Sequence, residues 1–244
     1  MASLTFVAAS MSAGFGPQFI ACYRAFPVDT ESPPLSRQTS PARPLYVFGY
    51  GSLMWRPDFP YVRHAPGLAL GHQRSLCVWS SAYRGSPERP GLVFGLDEAA
   101  EDTACRGIVF EVAPENRRQV IAYLFQRELI YPIYQPANVQ TTSVLGDHHA
   151  LTFTVDRHDV AYASRLDPAV RIAAIASGRG RAGRARDYLA NGLDRMEAMG
   201  AGEPGLRADL AAADLLPDDP AVLFTLLDEP YRRRLNAVFE LAHE

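Results

Sequence analysis

The sequence predicts an α+β fold, because strand-like runs crowd the first part of the chain and helix-like runs fill the last third. Two further observations refine that class. The strand-like runs are short and rich in β-branched and aromatic residues. Glycines lie within or beside them, as the bulges and corners of a closed or strongly bent sheet require. A lone helical stretch separates the last two of these runs.

The first run, residues 45–48, ends in the glycine-rich turn Gly49-Tyr50-Gly51-Ser52-Leu53. Further strands are expected at 76–79, 91–96, 106–112 and 151–155, each punctuated by Gly, Pro or Asp. The helix is expected over 114–129. Pro114 suits its first turn, Glu115 complements the positive end of its dipole, and Val120, Ile121, Leu124 and Phe125 make one apolar stripe. Beyond it the pattern reads as helices at 168–177, 184–199, 206–215 and 230–243, with no internal repeat.

Residues 1–44 differ in character. They carry no basic residue before Arg24 and then run through a Ser/Pro-rich stretch that buries too little apolar surface to offset the entropy of ordering. An extension that is disordered or loosely packed is expected there, with one compact domain over 45–244. The apolar stretch 4–9 is short for a secretory signal and lacks a positive flank, and Met11 offers a second start.

Charge and composition exclude several classes. With 24 basic and 27 acidic residues the formal charge is −3, which argues against a nucleic-acid or membrane-surface partner. Every basic residue is arginine. The absence of lysine removes Schiff-base chemistry, and with it pyridoxal phosphate, and also the Walker-A phosphate loop. Cys22, Cys77 and Cys105 are odd in number and widely spaced, so neither a disulfide framework nor a structural zinc site is expected, and a reducing cytoplasm is the default. Cys77 and Cys105 sit in apolar runs and read as small buried hydrophobes. The histidines show no metal-ligand spacing, and no run is long and apolar enough to span a bilayer.

Three constellations carry chemistry. The turn Gly49–Leu53 can converge backbone N–H groups on one small acceptor, or it can be a plain strand-to-loop turn. Glu128 lies four residues after Leu124 and seven after Ile121, on the apolar stripe of its helix. Burial there would raise its pKa and fit it for proton transfer near neutrality, whereas Arg127 or a frayed helix end could make it merely structural. Gly178-Arg179-Gly180-Arg181-Ala182-Gly183 matches a dinucleotide fingerprint, but too little chain remains for the rest of a doubly wound sheet. Arg179, Arg181, Arg184 and Arg186 could instead form an anion-binding loop or a solvated face. No GxSxG elbow is present, and Ser52 has no base beside it in sequence.

Taken in order, several segments resemble the ChaC-type, glutathione-specific γ-glutamylcyclotransferases. They are Tyr46-Val47-Phe48-Gly49-Tyr50-Gly51-Ser52-Leu53-Met54-Trp55-Arg56-Pro57, Arg74-Ser75-Leu76-Cys77-Val78-Trp79-Ser80, Tyr83-Arg84-Gly85 and Pro90-Gly91-Leu92-Val93-Phe94-Gly95-Leu96. Cys105-Arg106-Gly107-Ile108, Tyr123-Leu124, Arg127-Glu128 and Arg186-Asp187-Tyr188-Leu189 continue the match, which covers roughly residues 45–200. The resemblance implies a small closed β-barrel with helices packed around it. It implies that Tyr50, Gly51, Ser52 and Leu53 bind a γ-glutamyl group, and that Glu128 is the catalytic acid/base.

Arg84 and Tyr134 are expected as further substrate contacts, with no metal and no cofactor. The family's pattern places an asparagine near the start of the Tyr188 helix, where this chain has Arg184-Ala185. The implied reaction closes 5-oxoproline by attack of the substrate's α-amine on its γ-carbonyl. Another γ-glutamyl amine as substrate, or a binding module without catalysis, remains open on the sequence.

Overall fold

The computed structural model describes residues 43–163 and 166–240. The expected extension, and Cys22 with it, lies outside them apart from Arg43 and Pro44. The strands are β1 (Leu45–Gly49), β2 (Arg63–Leu70), β3 (His72–Ser80), β4 (Gly91–Glu98), β5 (Ala104–Val112), β6 (Tyr134–Ser143) and β7 (Gly146–Val155), followed by the two-residue strands β8 (Arg179–Gly180) and β9 (Gly183–Arg184). The helices are α1 (Arg117–Glu128), α2 (Pro168–Ser177), α3 (Ala185–Ala198), α4 (Pro204–Asp214), α5 (Pro220–Leu226) and α6 (Glu229–Glu240).

Five strands close a barrel in the order β1-β5-β2-β6-β7, and β1 meets β7 in parallel at Val47 and Leu151. Its other pairs are antiparallel. A separate antiparallel ribbon, β3–β4, carries a bulge between Leu76 and Val78. The α+β class and the bent, closed sheet therefore stand.

Two barrel strands were invisible to pattern. β2 turns Ala65, Gly67 and Ala69 inward and His64, Pro66, Leu68 and Leu70 outward, so over 64–70 its alternation is one of small against large residues. The inner side must be small: a Cβ on Gly67 would come within 2.8 Å of Val109 Cγ2 and 2.9 Å of the Thr142 carbonyl. β6 is mostly polar and begins Tyr-Gln-Pro, and Pro136 breaks the usual strand signature. It lies along β7 over its full length, from Tyr134 opposite Val155 to Ser143 opposite Gly146.

The helices follow their signals closely. Pro114 begins a short 3-10 turn that leads into α1, whose buried residues are Val120, Ile121, Leu124 and Phe125. Asp167 caps α2 by accepting from the Ala169 N–H at 2.8 Å, and Pro168 occupies its first position. α5 was not expected; Asp219 and Pro220 start it in the same way. The chain between β1 and β2 begins with the glycine turn, and α1 ends at Glu128 just before the connection to β6. Among the described residues no helix is long and apolar enough to cross a membrane.

Candidate active site

A cavity of about 330 Å³ opens where β1, β4, α1 and α3 meet. Tyr50, Gly51, Ser52, Leu53, Arg84, Glu128 and Tyr134 all line it. Residues far apart in the chain are thus brought to one enclosure.

Glu128 is the last residue of α1, on the turn following Leu124 and Phe125. A fifth of its side chain remains accessible, and that part faces the cavity, while its Oε1 is covered and has no hydrogen-bond partner. Arg127 Nε stands 3.1 Å from Oε1, at ion-pair distance but out of line for a hydrogen bond. Burial pushes the carboxyl pKa up from its ordinary value, and Arg127 pulls against that shift without cancelling it. The helix end is therefore neither frayed into water nor fully neutralised.

Arg127 joins the carboxylate to the turn. Its Nη2 donates to Ser52 Oγ at 2.8 Å, and its Nη1 donates to the Arg56 carbonyl at 2.7 Å and to Tyr123 Oη at 2.8 Å. One guanidinium thus touches both Glu128 and Ser52, which sets the separation between them. Ser52 meets a cation rather than a base, so nothing here activates it as a nucleophile. Sequence reading treated Arg127 only as a possible neutraliser. Its spacing of four from Tyr123 on one helix was the available hint of a shared face.

The turn itself is a 3-10 helix over Ser52–Met54 entered from Gly51. Met54 and Arg56 donate back to the carbonyls of Gly51 and Ser52. The N–H groups of Gly51, Ser52 and Leu53 are bonded to no other described residue. A Cβ at Gly51 would lie 3.2 Å from Tyr188 Oη, close enough that the phenol would have to give by a few tenths of an ångström.

Three tyrosines build the wall. Tyr50 Oη donates to the Phe153 carbonyl at 2.8 Å, and Tyr134 Oη donates to the Phe94 carbonyl at 2.9 Å. Tyr188 Oη accepts from the Phe94 N–H at 3.3 Å, which leaves its own proton for another acceptor. Burial holds all three phenols above their ordinary pKa, so they stay protonated. Tyr188 had no assigned role from sequence although its motif was noted; its place on the wall follows from the packing of α3 on β4.

At the mouth, Arg84 donates to the Ala182 carbonyl and lies 5.5 Å over the Tyr188 ring. Tyr83 and Tyr131 stand edge to face beside it, and Tyr131 Oη accepts from the Tyr83 N–H at 3.0 Å. Loop-to-loop contacts of this kind leave no periodic trace in sequence.

The dinucleotide fingerprint has a different explanation. Gly178 follows helix α2 rather than a strand, and β8–β9 is a tight antiparallel hairpin. A Cβ on Gly180 would fall 2.5 Å from the Ala82 carbonyl and 2.7 Å from Gly85 N, so the glycine permits close packing on that loop. The arginines of this segment meet partners within the chain. Arg179, Arg184 and Arg186 pair with Asp218, Asp187 and Asp214, and Arg181 stacks 4.5 Å over Tyr83.

Arg184, at the departure from the family pattern, points to Asp187 and lies outside the cavity lining, while Ala185 is buried. Cys77 and Cys105 are buried and free, with thiol pKa values each raised to about 11 chiefly by burial. Among the described residues no cluster of three or more His, Cys, Asp or Glu is placed to hold a metal ion.

The family described as ChaC-like protein matches residues 45–212. The glutathione-specific γ-glutamylcyclotransferase of Escherichia coli K12 is 29% identical over 164 residues, covering 67% of this chain and 70% of that protein. The γ-glutamylcyclotransferase 2-3 of Arabidopsis thaliana is 28% identical over 166 residues, covering 64% and 81% respectively. A crystal structure of the yeast γ-glutamyl cyclotransferase specific to glutathione aligns with a TM-score of 0.61 at 21% identity, over 70% of this chain and 96% of its own. That likeness establishes the fold. The family match runs over the turn, the barrel strands and the helix that together enclose the cavity, and the chain belongs to the ChaC-like family.

Proposed function

We propose that this protein is a γ-glutamylcyclotransferase that cleaves glutathione to 5-oxoproline and cysteinylglycine. One observation carries the reading: a carboxylate whose covered oxygen has an ion-pair partner in Arg127 but no hydrogen bond shares a small cavity with backbone N–H donors that are bonded to no other described residue. Relatives named for that reaction support it.

Glu128 takes a proton from the substrate's α-ammonium and leaves a nucleophilic amine. The amine attacks the γ-carbonyl, a new C–N bond closes the five-membered ring, and the N–H groups of the turn stabilise the developing oxyanion. The old amide C–N bond then breaks as the protonated Glu128 gives its proton to the leaving nitrogen, and the extra proton left on the ring nitrogen passes through the same carboxylate to the departing amine, which leaves as an ammonium. One carboxyl of raised pKa serves both steps.

Folding the γ-glutamyl chain so that amine meets carbonyl contributes up to about 7–11 kcal/mol in well-oriented intramolecular reactions. Tyr50 and Tyr134 shape the wall behind this group, and Arg84 at the mouth pairs with a substrate carboxylate. The catalytic unit is residues 45–244, and the enzyme works in the cytoplasm on a small molecule, without a cofactor.

The test is release of 5-oxoproline from glutathione by the purified chain, together with a panel of other γ-glutamyl compounds. Equal yields of 5-oxoproline and cysteinylglycine are expected. Faster turnover of another γ-glutamyl amine would reassign the substrate. Ligand protection against thermal unfolding without any product would make the protein a binding module.

A further inference from the structure

We infer that Arg74 is a positioning residue that aims the Gly51 N–H into the cavity, with Glu203 as its counter-charge; this rests on the cyclotransferase reading. Arg74 lies on β3, outside the cavity lining, and its side chain is only 3% exposed. Its Nη1 donates to the Tyr50 carbonyl at 3.1 Å and to the Arg106 carbonyl at 2.9 Å. Its Nε and Nη2 both reach Glu203 Oε1, at 3.2 Å and 2.8 Å. The guanidinium also lies 5.7 Å from the centre of the Phe94 ring, whose backbone anchors Tyr134 and Tyr188.

The Tyr50 carbonyl and the Gly51 N–H belong to one planar peptide unit, and no described peptide bond is cis. In a trans peptide the two groups point in opposite directions. Drawing the carbonyl backward onto a buried cation therefore turns the N–H forward, into the space that Gly51 lines. A cationic partner on the carbonyl also polarises the peptide and strengthens its N–H as a donor.

Glu203 makes the arrangement tenable, since a buried guanidinium without a counter-charge would be costly. It immediately precedes Pro204, the first residue of α4, and caps no N–H with its side chain. The connection between α3 and α4 thereby reaches the catalytic turn through a single ion pair. No feature of the sequence links these positions, which lie 129 residues apart.

Arg74→Lys keeps the charge but cannot hold both carbonyls and Glu203 at once. Glu203→Gln keeps an acceptor while removing the charge, at a position exposed enough to tolerate the change. For each variant, turnover is measured per folded molecule, and the Gly51 amide is followed by ¹⁵N–¹H correlation spectra with and without 5-oxoproline. Arg74→Lys is expected to lower kcat by about 10- to 100-fold, short of or near the loss from deleting an oxyanion donor, and to change KM less.

The acid limb of the pH profile should not move, because Glu128 is untouched. The Gly51 amide should shift in the free variant and lose its response to 5-oxoproline, and Glu203→Gln should do the same to a smaller degree. Wild-type kcat in folded Arg74→Lys, or an unmoved Gly51 amide in both variants, overturns the proposal. The amide spectra read the clamp without turnover, so an inactive wild type would sink the cyclotransferase reading alone.

Discussion

Asp97 and Glu128 are both carboxylates drawn inside this protein, and their surroundings differ at one point. Asp97, on β4, has a side chain 6% exposed; Arg157 Nε donates to one of its oxygens at 2.6 Å and Tyr162 Oη to the other. Both oxygens are satisfied, and the group ties the β3–β4 ribbon to the segment after β7. Glu128 keeps a fifth of its side chain accessible toward the cavity, and its covered Oε1 has only an off-line arginine beside it. A buried carboxylate with all its bonds made is a structural joint, whereas one left short of partners can exchange a proton with a ligand.

That contrast can be broken most sharply at Glu128. Glu128→Gln preserves shape and removes the base, so kcat should fall by about 10²- to 10⁴-fold while circular dichroism and the cooperative melt persist. Undiminished 5-oxoproline release would remove Glu128 from the mechanism. At the other carboxylate, Asp97→Ala leaves Tyr162 and Arg157 without their acceptor and should destabilise the fold by about 1–3 kcal/mol. Activity per folded molecule should stay at the wild-type level; a loss comparable to that of Glu128→Gln would erase the distinction drawn here.

The pH dependence sharpens the same comparison. As the base, Glu128 must be ionised, so kcat/KM should fall as pH drops through its raised pKa, above the ordinary 4.5. Stability runs in the opposite direction. Below about 4.5 the carboxyl is protonated whether folded or not, and burial costs nothing extra; as pH rises through the folded-state value, burial of the charge is increasingly unfavourable. The stability advantage of Glu128→Gln over wild type should therefore be small in acid and grow across that window. An advantage that does not change with pH would mean that the carboxyl is not desolvated.

The smallest effect belongs to Ser52→Ala. It removes one hydrogen bond from Arg127 and leaves the backbone donors in place, so it should cost about 1 kcal/mol of stability and reduce turnover much less than Glu128→Gln. A collapse of kcat as deep as in the glutamine variant would give the Ser52 hydroxyl a chemical role that its cationic partner argues against.

The elements legible in sequence were those whose inward face is made of large apolar side chains. β1 and α1 are of that kind, and the buried stripe of α1 is the one its spacing predicts. β2 and β6 escaped detection for a specific reason: β2 hides alanines and a glycine where the barrel is tight, and each strand carries a proline. Hydrophobic periodicity measures the size of buried side chains, so a strand packed by small residues gives little signal. The glycine fingerprint at 178–183 failed in the opposite sense, because close backbone packing asks for glycine just as a phosphate does.

The linear order of residues by itself determined that a helix would end in an acid on its apolar side, and that a strand would end in a turn with open amides. Both are local consequences of side-chain spacing and backbone freedom. Only the tertiary structure decided that the two face each other, with Arg127 between them and Arg74 behind the turn. Spacing along a helix or strand says which side is buried but not what lies opposite. That is settled by the closure of the barrel, which joins strands distant in the chain.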